Sequence, residues 1–253
     1  MIVCLEKGGD PTEARLLAEK LNVPLILRDS LQEDPEDLML RFHKEGLFLC
    51  GEGLEMQGDL THMIPRLKKN NLQREFLVKA SRMKNPGDHP VAVDATAGMG
   101  EDSLLLAAAG YQVILYELNP VIAALLKDSL RRASHIPELE DIVGRMQVRE
   151  GDSIQGLSGL ETTPDLILLD PMFPERKKSG LIKKKFQLLQ KLESPCSDEE
   201  RLFDVAWKAE PRRLVIKRPL KGPYLAGVKP DYSIPGKAIR YDCFVNIKNK
   251  RCK

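Results

Sequence analysis

From residue 90 onwards, short runs of Val, Ile and Leu alternate regularly with stretches of helical spacing. The pattern predicts strands at 91–93, 113–116, 146–149, 165–169, 214–217 and 241–247, and helices at 102–109, 120–133, 183–192 and 199–210. Apolar strands separated by helices are typical of a parallel sheet that is covered on both faces. We therefore predict an α/β fold with a doubly wound, Rossmann-like sheet, whose ligand site lies at the carboxyl ends of the strands.

The first 65 residues have a different pattern. Strands predicted at 2–5, 24–27 and 47–50, with a helix at 12–21, make residues 1–65 a small N-terminal α/β lobe. A further helix is predicted at 71–84, where Asn85-Pro86-Gly87 ends it. The larger domain is then residues 66–253.

Several classes of protein are excluded by composition. The longest apolar runs, 104–109 and 121–126, have six residues each, whereas a membrane-spanning helix needs roughly 18. The N-terminus shows no basic leader followed by a long apolar stretch, so we expect a cytoplasmic protein that does not enter a membrane. The five cysteines and four histidines show no metal-ligand spacing, and no metal site is predicted.

The net charge of +2 conceals three basic blocks, at 66–84, 176–191 and 212–221. A single block is often only the solvated face of a helix. Three blocks favour a polyanionic partner, and we expect them to contact the phosphates of a nucleic acid. The candidate RNA-binding residues are Arg176, Lys177, Lys178, Lys183, Lys184, Lys185, Lys217 and Arg218.

The turn after the first strand of the larger domain carries two glycines, Gly98 and Gly100. Glycines in such a turn let a flat or charged cofactor approach the backbone, although a simple turn is the alternative. Glu117, at the end of the second strand, stands 19 residues beyond Gly98, where a carboxylate can accept hydrogen bonds from ribose hydroxyls. Asp152 and Ser153 follow the third strand, where an adenine ring would lie.

Two cofactors are compatible with this loop. The sequence G-x-G-x-x-S at 98–103 is close to the dinucleotide fingerprint but lacks its third glycine. Glu101 and Asp102 also place negative charge where a pyrophosphate would bind. Carboxylates there tolerate the amine and sulfonium of S-adenosylmethionine. We predict S-adenosylmethionine, with an NAD-dependent oxidoreductase as the alternative.

DPMFP at 170–174 follows the fourth strand. Asp170 can accept a hydrogen bond from the exocyclic amine of a base, Pro171 fixes the backbone, and Phe173 can stack on the ring. A proline-rich turn after a buried strand is the alternative interpretation. We predict that Asp170, Pro171 and Phe173 are the catalytic residues of a nucleic acid amine methyltransferase.

Five segments resemble one known family: DATAGMG at 94–100, YELNPVIAALL at 116–126, LDPMFPERKKSGLIKK at 169–184, VIKRP at 215–219 and RYD at 240–242. They resemble the ribosomal RNA small subunit methyltransferase J family, cytoplasmic bacterial enzymes that methylate the N2 amine of a specific guanine in 16S ribosomal RNA, by resemblance guanine 1516. The resemblance implies a class I S-adenosylmethionine-dependent methyltransferase sheet over residues 90–247. It also implies that the partner is small-subunit ribosomal RNA or the assembling 30S subunit.

The loop chemistry and the resemblance together predict a set of cofactor contacts. The family pattern has a basic residue at the position of Glu101 and an Arg at that of Leu118, so at these two positions we expect backbone contacts. Met172 stands where the wider amine methyltransferases have a second proline in D/N-P-P-Y/F. The predicted cofactor-binding residues are Asp94, Gly98, Gly100, Glu101, Asp102, Glu117, Leu118, Asp152, Ser153 and Asp170.

Three other functions remain open at this point. An adenine-N6 or other nucleic acid amine methyltransferase uses similar chemistry. An NAD-dependent oxidoreductase shares the glycine turn. An RNA-binding protein on a methyltransferase fold without activity would keep the basic blocks and fail to bind the cofactor.

Overall fold

The computed structural model describes residues 1–31, 37–171, 187–189, 191–192 and 198–246. Within these residues the strands form two sheets. The strands are β1 (Ile2–Leu5), β2 (Leu25–Leu27), β3 (Met39–His43), β4 (Gly46–Gly51), β5 (Leu54–Gln57), β6 (Val91–Asp94), β7 (Gln112–Glu117), β8 (Met146–Glu150), β9 (Leu166–Leu169), β10 (Arg213–Pro219), β11 (Tyr232–Pro235) and β12 (Ile239–Val245).

Helices cover the sheets and connect most of the parallel strands. The α-helices of the described residues are α1 (Pro11–Leu21), α2 (Ile64–Leu67), α3 (Lys69–Leu72), α4 (Phe76–Ser81), α5 (Glu101–Ala108), α6 (Pro120–Ala133), α7 (Pro137–Val143), α8 (Ser153–Ser158) and α9 (Glu199–Lys208).

The larger sheet has the strand order β11-β12-β10-β9-β6-β7-β8. Strands β6 to β10 run parallel, β12 runs antiparallel to β10, and β11 runs antiparallel to β12. The chain builds outwards from β6 to β8 on one side and then from β9 on the other, which places the topological switch point between β6 and β9. The predicted doubly wound α/β sheet is confirmed.

The centre of this sheet is dry because both of its faces are covered. All four residues of β9 have no exposed surface, as expected for the central strand of a parallel sheet. Leu104, Leu105 and Leu106 in α5 are also fully buried, since this helix packs against α4 and α7 as well as the sheet. A rigid sheet fixes the loops at its carboxyl edge, where the candidate site lies.

The N-terminal lobe contains a five-stranded sheet in the order β2-β1-β3-β4-β5. Strand β1 is parallel to both β2 and β3, and the remaining pairs are antiparallel. This sheet packs against α6 of the larger domain, so that Leu49 and Leu125 belong to one buried cluster. The domain boundary predicted between residues 65 and 66 falls within α2 and stays a prediction.

The prediction of a single helix at 71–84 is wrong. The chain forms α3 and α4 instead, because Glu75 adopts an extended conformation between them (φ −59°, ψ 132°). Its carboxylate accepts two hydrogen bonds from the guanidinium of Arg66, at 2.8 and 2.9 Å. This ion pair turns the chain at a position where helical spacing alone predicts continuity.

Other differences concern short elements. Strands β3, β5 and β11 and helices α2, α7 and α8 were not predicted, and the strand predicted at 241–247 begins two residues earlier, as β12. Half of the helix predicted at 183–192 lies outside the described residues. None of the described helices is long and apolar enough to cross a membrane.

Candidate active site

The glycine turn after β6 uses its two glycines in different ways. Both have positive φ, +54° at Gly98 and +80° at Gly100. A Cβ added at Gly100 would lie 2.7 Å from Cδ1 of Leu126, so this glycine is required by packing. A Cβ at Gly98 would meet no atom within 4 Å, so the backbone here borders open space that a cofactor can enter.

Asp94 supports this turn from the interior. Its side chain is 2% exposed, and it accepts hydrogen bonds from the Thr96 N–H at 3.1 Å and the Ser103 hydroxyl at 2.6 Å. Burial raises the pKa of Asp94 from 3.8 to about 7, and the two hydrogen bonds act in the opposite direction. The carboxyl group therefore connects β6 to α5 beneath the turn and does not line the open edge.

Glu117 joins the glycine turn to the end of β7. Its Oε2 accepts a hydrogen bond from the Gly98 N–H at 2.9 Å, and its Oε1 accepts one from the Asn119 N–H at 2.8 Å. Burial raises the pKa of Glu117, against the effect of these amides. Two oxygens offer about four acceptor positions, so this carboxylate can still accept hydrogen bonds from ribose hydroxyls. Leu118, beside it, is 69% exposed.

The turn after β8 has a similar form. Gly151 has φ +129° and no atom within 4 Å of an added Cβ. Asp152 caps α8, where its Oδ1 accepts a hydrogen bond from the Ile154 N–H at 2.8 Å, and Ser153 is buried. The local sequence thus serves as a helix cap, with the open backbone of Gly151 next to it.

Asp170 follows β9 and is attached to the glycine turn. Its backbone N–H donates to the Thr96 hydroxyl at 2.7 Å, and its side chain is 39% exposed. The ammonium of Lys217, on the neighbouring strand β10, lies 2.8 Å from Oδ2 of Asp170 and 2.6 Å from Oδ2 of Asp102. The ammonium of β10 therefore pairs with one carboxylate from the loop after β9 and one from the first turn of α5.

Lys217 was predicted from the sequence as an RNA contact, but the structure directs its ammonium towards the carboxylates. The side chain is 24% exposed. Burial lowers the pKa of Lys217, but Asp102 and Asp170 more than offset this effect and hold it above its ordinary value. Lys217 is thus charged throughout the neutral range and belongs to the carboxylate cluster.

The structure contradicts the predicted RNA contact of Arg218. The residue is 1% exposed, its Nε donates to the Pro223 carbonyl at 3.0 Å, and it forms an ion pair with Glu199 at 3.3 Å. A phosphate cannot reach a guanidinium buried in this way, so the prediction of an RNA contact is wrong.

The segment before α2 borders the cluster on another side. His62 lies 3.2 Å from Oε1 of Glu101, and its other ring nitrogen is bonded to the Asp59 carbonyl at 2.6 Å. Tyr241 pairs with Lys217 across β10 and β12 and is buried. Sequence reasoning missed His62, Thr96 and Tyr241, because strand register and the path of a loop leave no mark on the sequence.

Several of the predicted site residues lie outside the described part of the chain. Pro171 is described and buried, and the structure describes no residue from 172 to 186. Among the predicted site residues, those outside the described part of the chain are Phe173, Arg176, Lys177, Lys178, Lys183, Lys184 and Lys185. The described residues contain no group of three or more His, Cys, Asp or Glu side chains that could hold a metal ion.

Comparison with known proteins shows the family of this chain. The family model of SAM-dependent methyltransferases matches residues 32–246. Ribosomal RNA small subunit methyltransferase J of Dechloromonas aromatica is 38% identical over an alignment of 238 residues, and the match covers 91% of this chain and 94% of that protein. The Aeromonas salmonicida protein of the same name is 36% identical over 97% of both chains. The chain belongs to the ribosomal RNA small subunit methyltransferase J family.

A solved structure supports the same assignment. The SAM-dependent methyltransferase NGO1261 of Neisseria gonorrhoeae superposes with a TM-score of 0.75 and 27% identity, over the full length of both chains. S-adenosylmethionine is therefore the cofactor of this enzyme. The open backbone at Gly98 and the carboxylate of Glu117 fit its nucleoside, and the carboxylates of Asp102 and Asp170 fit its positive charges.

Proposed function

We propose that this methyltransferase acts on the exocyclic N2 amine of a specific guanine in 16S ribosomal RNA. The names of the curated relatives support a small-subunit ribosomal RNA as substrate. The observation that carries the proposal is the position of Asp170, whose backbone is bonded to the glycine turn while its carboxylate stays partly exposed. An acceptor there can hold an amine beside the cofactor site. A ribosomal substrate implies a cytoplasmic enzyme.

The chain supplies alignment more than acid–base chemistry. S-adenosylmethionine, when bound, supplies a methyl group that is already activated by a sulfonium. Asp170 and the carbonyl of Pro171 accept hydrogen bonds from the guanine amine, orient its lone pair, and stabilise the positive charge that develops on nitrogen. The base must be unpaired or flipped, at a cost of a few kcal/mol. Phe173 is expected to stack on it.

The cofactor contacts follow from the same edge of the sheet. Glu117 would accept hydrogen bonds from the ribose, and the backbone at Gly98 would lie against the cofactor. The adenine would contact exposed Leu118 and the backbone of the turn at Asp152 and Ser153, where the Ser153 side chain is itself buried. Asp102 contributes negative charge for the sulfonium and the amine.

We expect the RNA to contact exposed basic residues of the block at 66–84. Phe76 is 39% exposed, and the ammonium of Lys79 lies 5.2 Å from its ring centroid. Cations around an exposed ring suit a single strand, because the ring stacks on bases while the cations contact phosphates. The exposed basic residues of the block at 66–84 are Lys68, Lys69, Arg74, Lys79, Arg82 and Lys84.

Product analysis tests the function. The purified enzyme is incubated with S-adenosylmethionine and either 16S RNA or 30S subunits from cells that lack it, and the methylated nucleosides are identified by mass spectrometry. We expect N2-methylguanosine at one position, and Asp170→Asn should lower turnover by about 100-fold. Asp204→Asn, an exposed residue of α9, is the matched control. N6-methyladenosine, or an absence of any methylated product, would contradict the proposal.

A further inference from the structure

The feature that the function leaves unexplained is the cation between Asp102 and Asp170. Lys217 comes from β10, Asp170 follows the adjacent strand β9, and Asp102 lies in the first turn of α5, which follows β6. Since β10, β9 and β6 are consecutive in the sheet, the ammonium ties β10 to the segments that follow β9 and β6. Two of its three donors are used, at 2.6 and 2.8 Å.

The ion pair between Lys217 and Asp170 restricts the side-chain orientation of Asp170, which the backbone hydrogen bond of Asp170 does not fix. The Thr96 hydroxyl fixes the Asp170 N–H, whereas the orientation of the carboxylate depends on the partners of its two oxygens. The bond from Lys217 to Oδ2 favours one orientation, and the two oxygens of a carboxylate offer about four acceptor positions in all. A misplacement of about 1 Å in an aligned transfer costs about 100-fold in rate, so this restraint is large enough to matter.

We propose that Lys217 is a positioning residue for methyl transfer, which holds the carboxylate of Asp170 in the orientation that receives the substrate amine. The inference rests on the proposed function. It also replaces the expectation that Lys217 contacts RNA, because its ammonium is engaged by two carboxylates and its side chain is 24% exposed.

The surroundings make the role electrostatic as well as geometric. Asp94 lies beneath Asp102 and Asp170, close enough for their charges to raise the pKa of its carboxyl. Buried Tyr241 also faces the cluster, and Arg66 approaches it from α2. Without the ammonium, three acidic groups would face one another with Arg66 as the remaining cation among these neighbours. The cluster would then take up a proton at a higher pH.

Three variants test the proposal. Lys217→Met removes the charge and keeps much of the side-chain volume, Lys217→Arg keeps the charge, and Lys208→Met is the control on the exposed surface of α9. The measurements are kcat between pH 6 and 9, KM for RNA, the salt dependence of RNA binding, and the Kd of S-adenosylmethionine by calorimetry. Circular dichroism confirms that each variant is folded.

We expect Lys217→Met to lower kcat by about 10- to 100-fold, with KM for RNA and the salt slope unchanged. The acidic limb of its kcat profile should move to higher pH, because the carboxylates must lose a proton without a cation beside them. Lys217→Arg should recover most of the rate and the wild-type profile. Lys208→Met should match the wild type throughout.

Other results would overturn the proposal. A raised KM for RNA with a flatter salt dependence and unchanged kcat would make Lys217 a phosphate contact. An unchanged kcat and pH profile in Lys217→Met would remove it from positioning. If Lys217→Met does not fold, a Lys217→Arg variant with wild-type rate at every pH supports the role of the charge, and one that is folded but inactive contradicts it. Failure of the wild type to form N2-methylguanosine would contradict the proposed function instead.

Discussion

The buried carboxyl group of Asp94 should make the stability of this protein depend on pH in an unusual direction. Its pKa is raised from 3.8 to about 7, chiefly by burial, so the native state holds a proton that the unfolded chain has lost. The stabilising contribution is fully present below about pH 4 and is lost as the pH rises through about 7. A tenfold change in equilibrium is worth about 1.4 kcal/mol, so the whole effect is about 4 kcal/mol.

Asp94→Asn isolates this contribution. The amide oxygen of Asn can accept the hydrogen bond from the Thr96 N–H, and its NH2 group can donate to the Ser103 hydroxyl, but the side chain no longer titrates. The assay is urea denaturation of both proteins at several pH values. Between pH 5 and 8, the free energy of unfolding of the wild type should fall by about 3 kcal/mol relative to the variant.

Two outcomes of the urea experiment would test whether the pKa of Asp94 is raised in the folded protein. A difference between wild type and Asp94→Asn that changes by less than about 1 kcal/mol from pH 5 to 8 would refute the reasoning, because it would mean that Asp94 is ionised in the folded protein throughout this range. If its hydrogen bonds outweighed burial, the difference would be flat from pH 5 to 8 and would change only below about pH 4, where the wild type would lose stability as the pH falls. Asp204→Asn, which alters an exposed carboxylate, shows how much any Asp→Asn change contributes.

Two further predictions concern the glycine turn and Glu117. Gly100→Ala should lower the free energy of unfolding by about 1 to 3 kcal/mol more than Gly53→Ala, because both positions have positive φ but only Gly100 places the new Cβ against Leu126. Urea denaturation measures both losses, and equal losses would contradict this prediction. Glu117→Gln should weaken the binding of S-adenosylmethionine by about 10- to 100-fold, since an amide NH2 would face one of the two backbone N–H donors. Calorimetry measures the Kd of this variant and of the control Glu138→Gln, which lies on the surface of α7. An unchanged Kd in Glu117→Gln would show that Glu117 is not part of the cofactor site.

Much of the site could be predicted because it depends on short distances along the chain. The alternation of strands and helices determines which loops lie at the carboxyl edge of a doubly wound sheet. Gly98 and Glu117 end neighbouring parallel strands, and the structure joins them by a hydrogen bond of 2.9 Å. Asp170 follows β9, on the other side of β6, and the same rule places it beside the glycine turn.

The environments of the residues in the basic block at 212–221 could not be predicted from the sequence. Lys217 and Arg218 are adjacent in the sequence and were both assigned to RNA. In a strand, neighbouring side chains point to opposite faces, so Lys217 reaches Asp102 and Asp170 while Arg218 reaches Glu199 in α9. Charge counts along the chain cannot separate these two environments, because the partners lie 19 to 115 residues away.

By itself, then, the sequence determined the class of fold, the order of the loops at its functional edge and the kind of cofactor they accept, since periodicity and turn chemistry are local properties. Tertiary structure alone decided which charged groups are neutralised there. The ion pair of Arg66 with Glu75 interrupts a regular helical pattern, and Lys217, which the sequence predicts as an RNA contact, is paired with Asp170 at the candidate site. Both depend on side chains that are distant in the sequence or separated by a turn, and that meet only when the chain is folded.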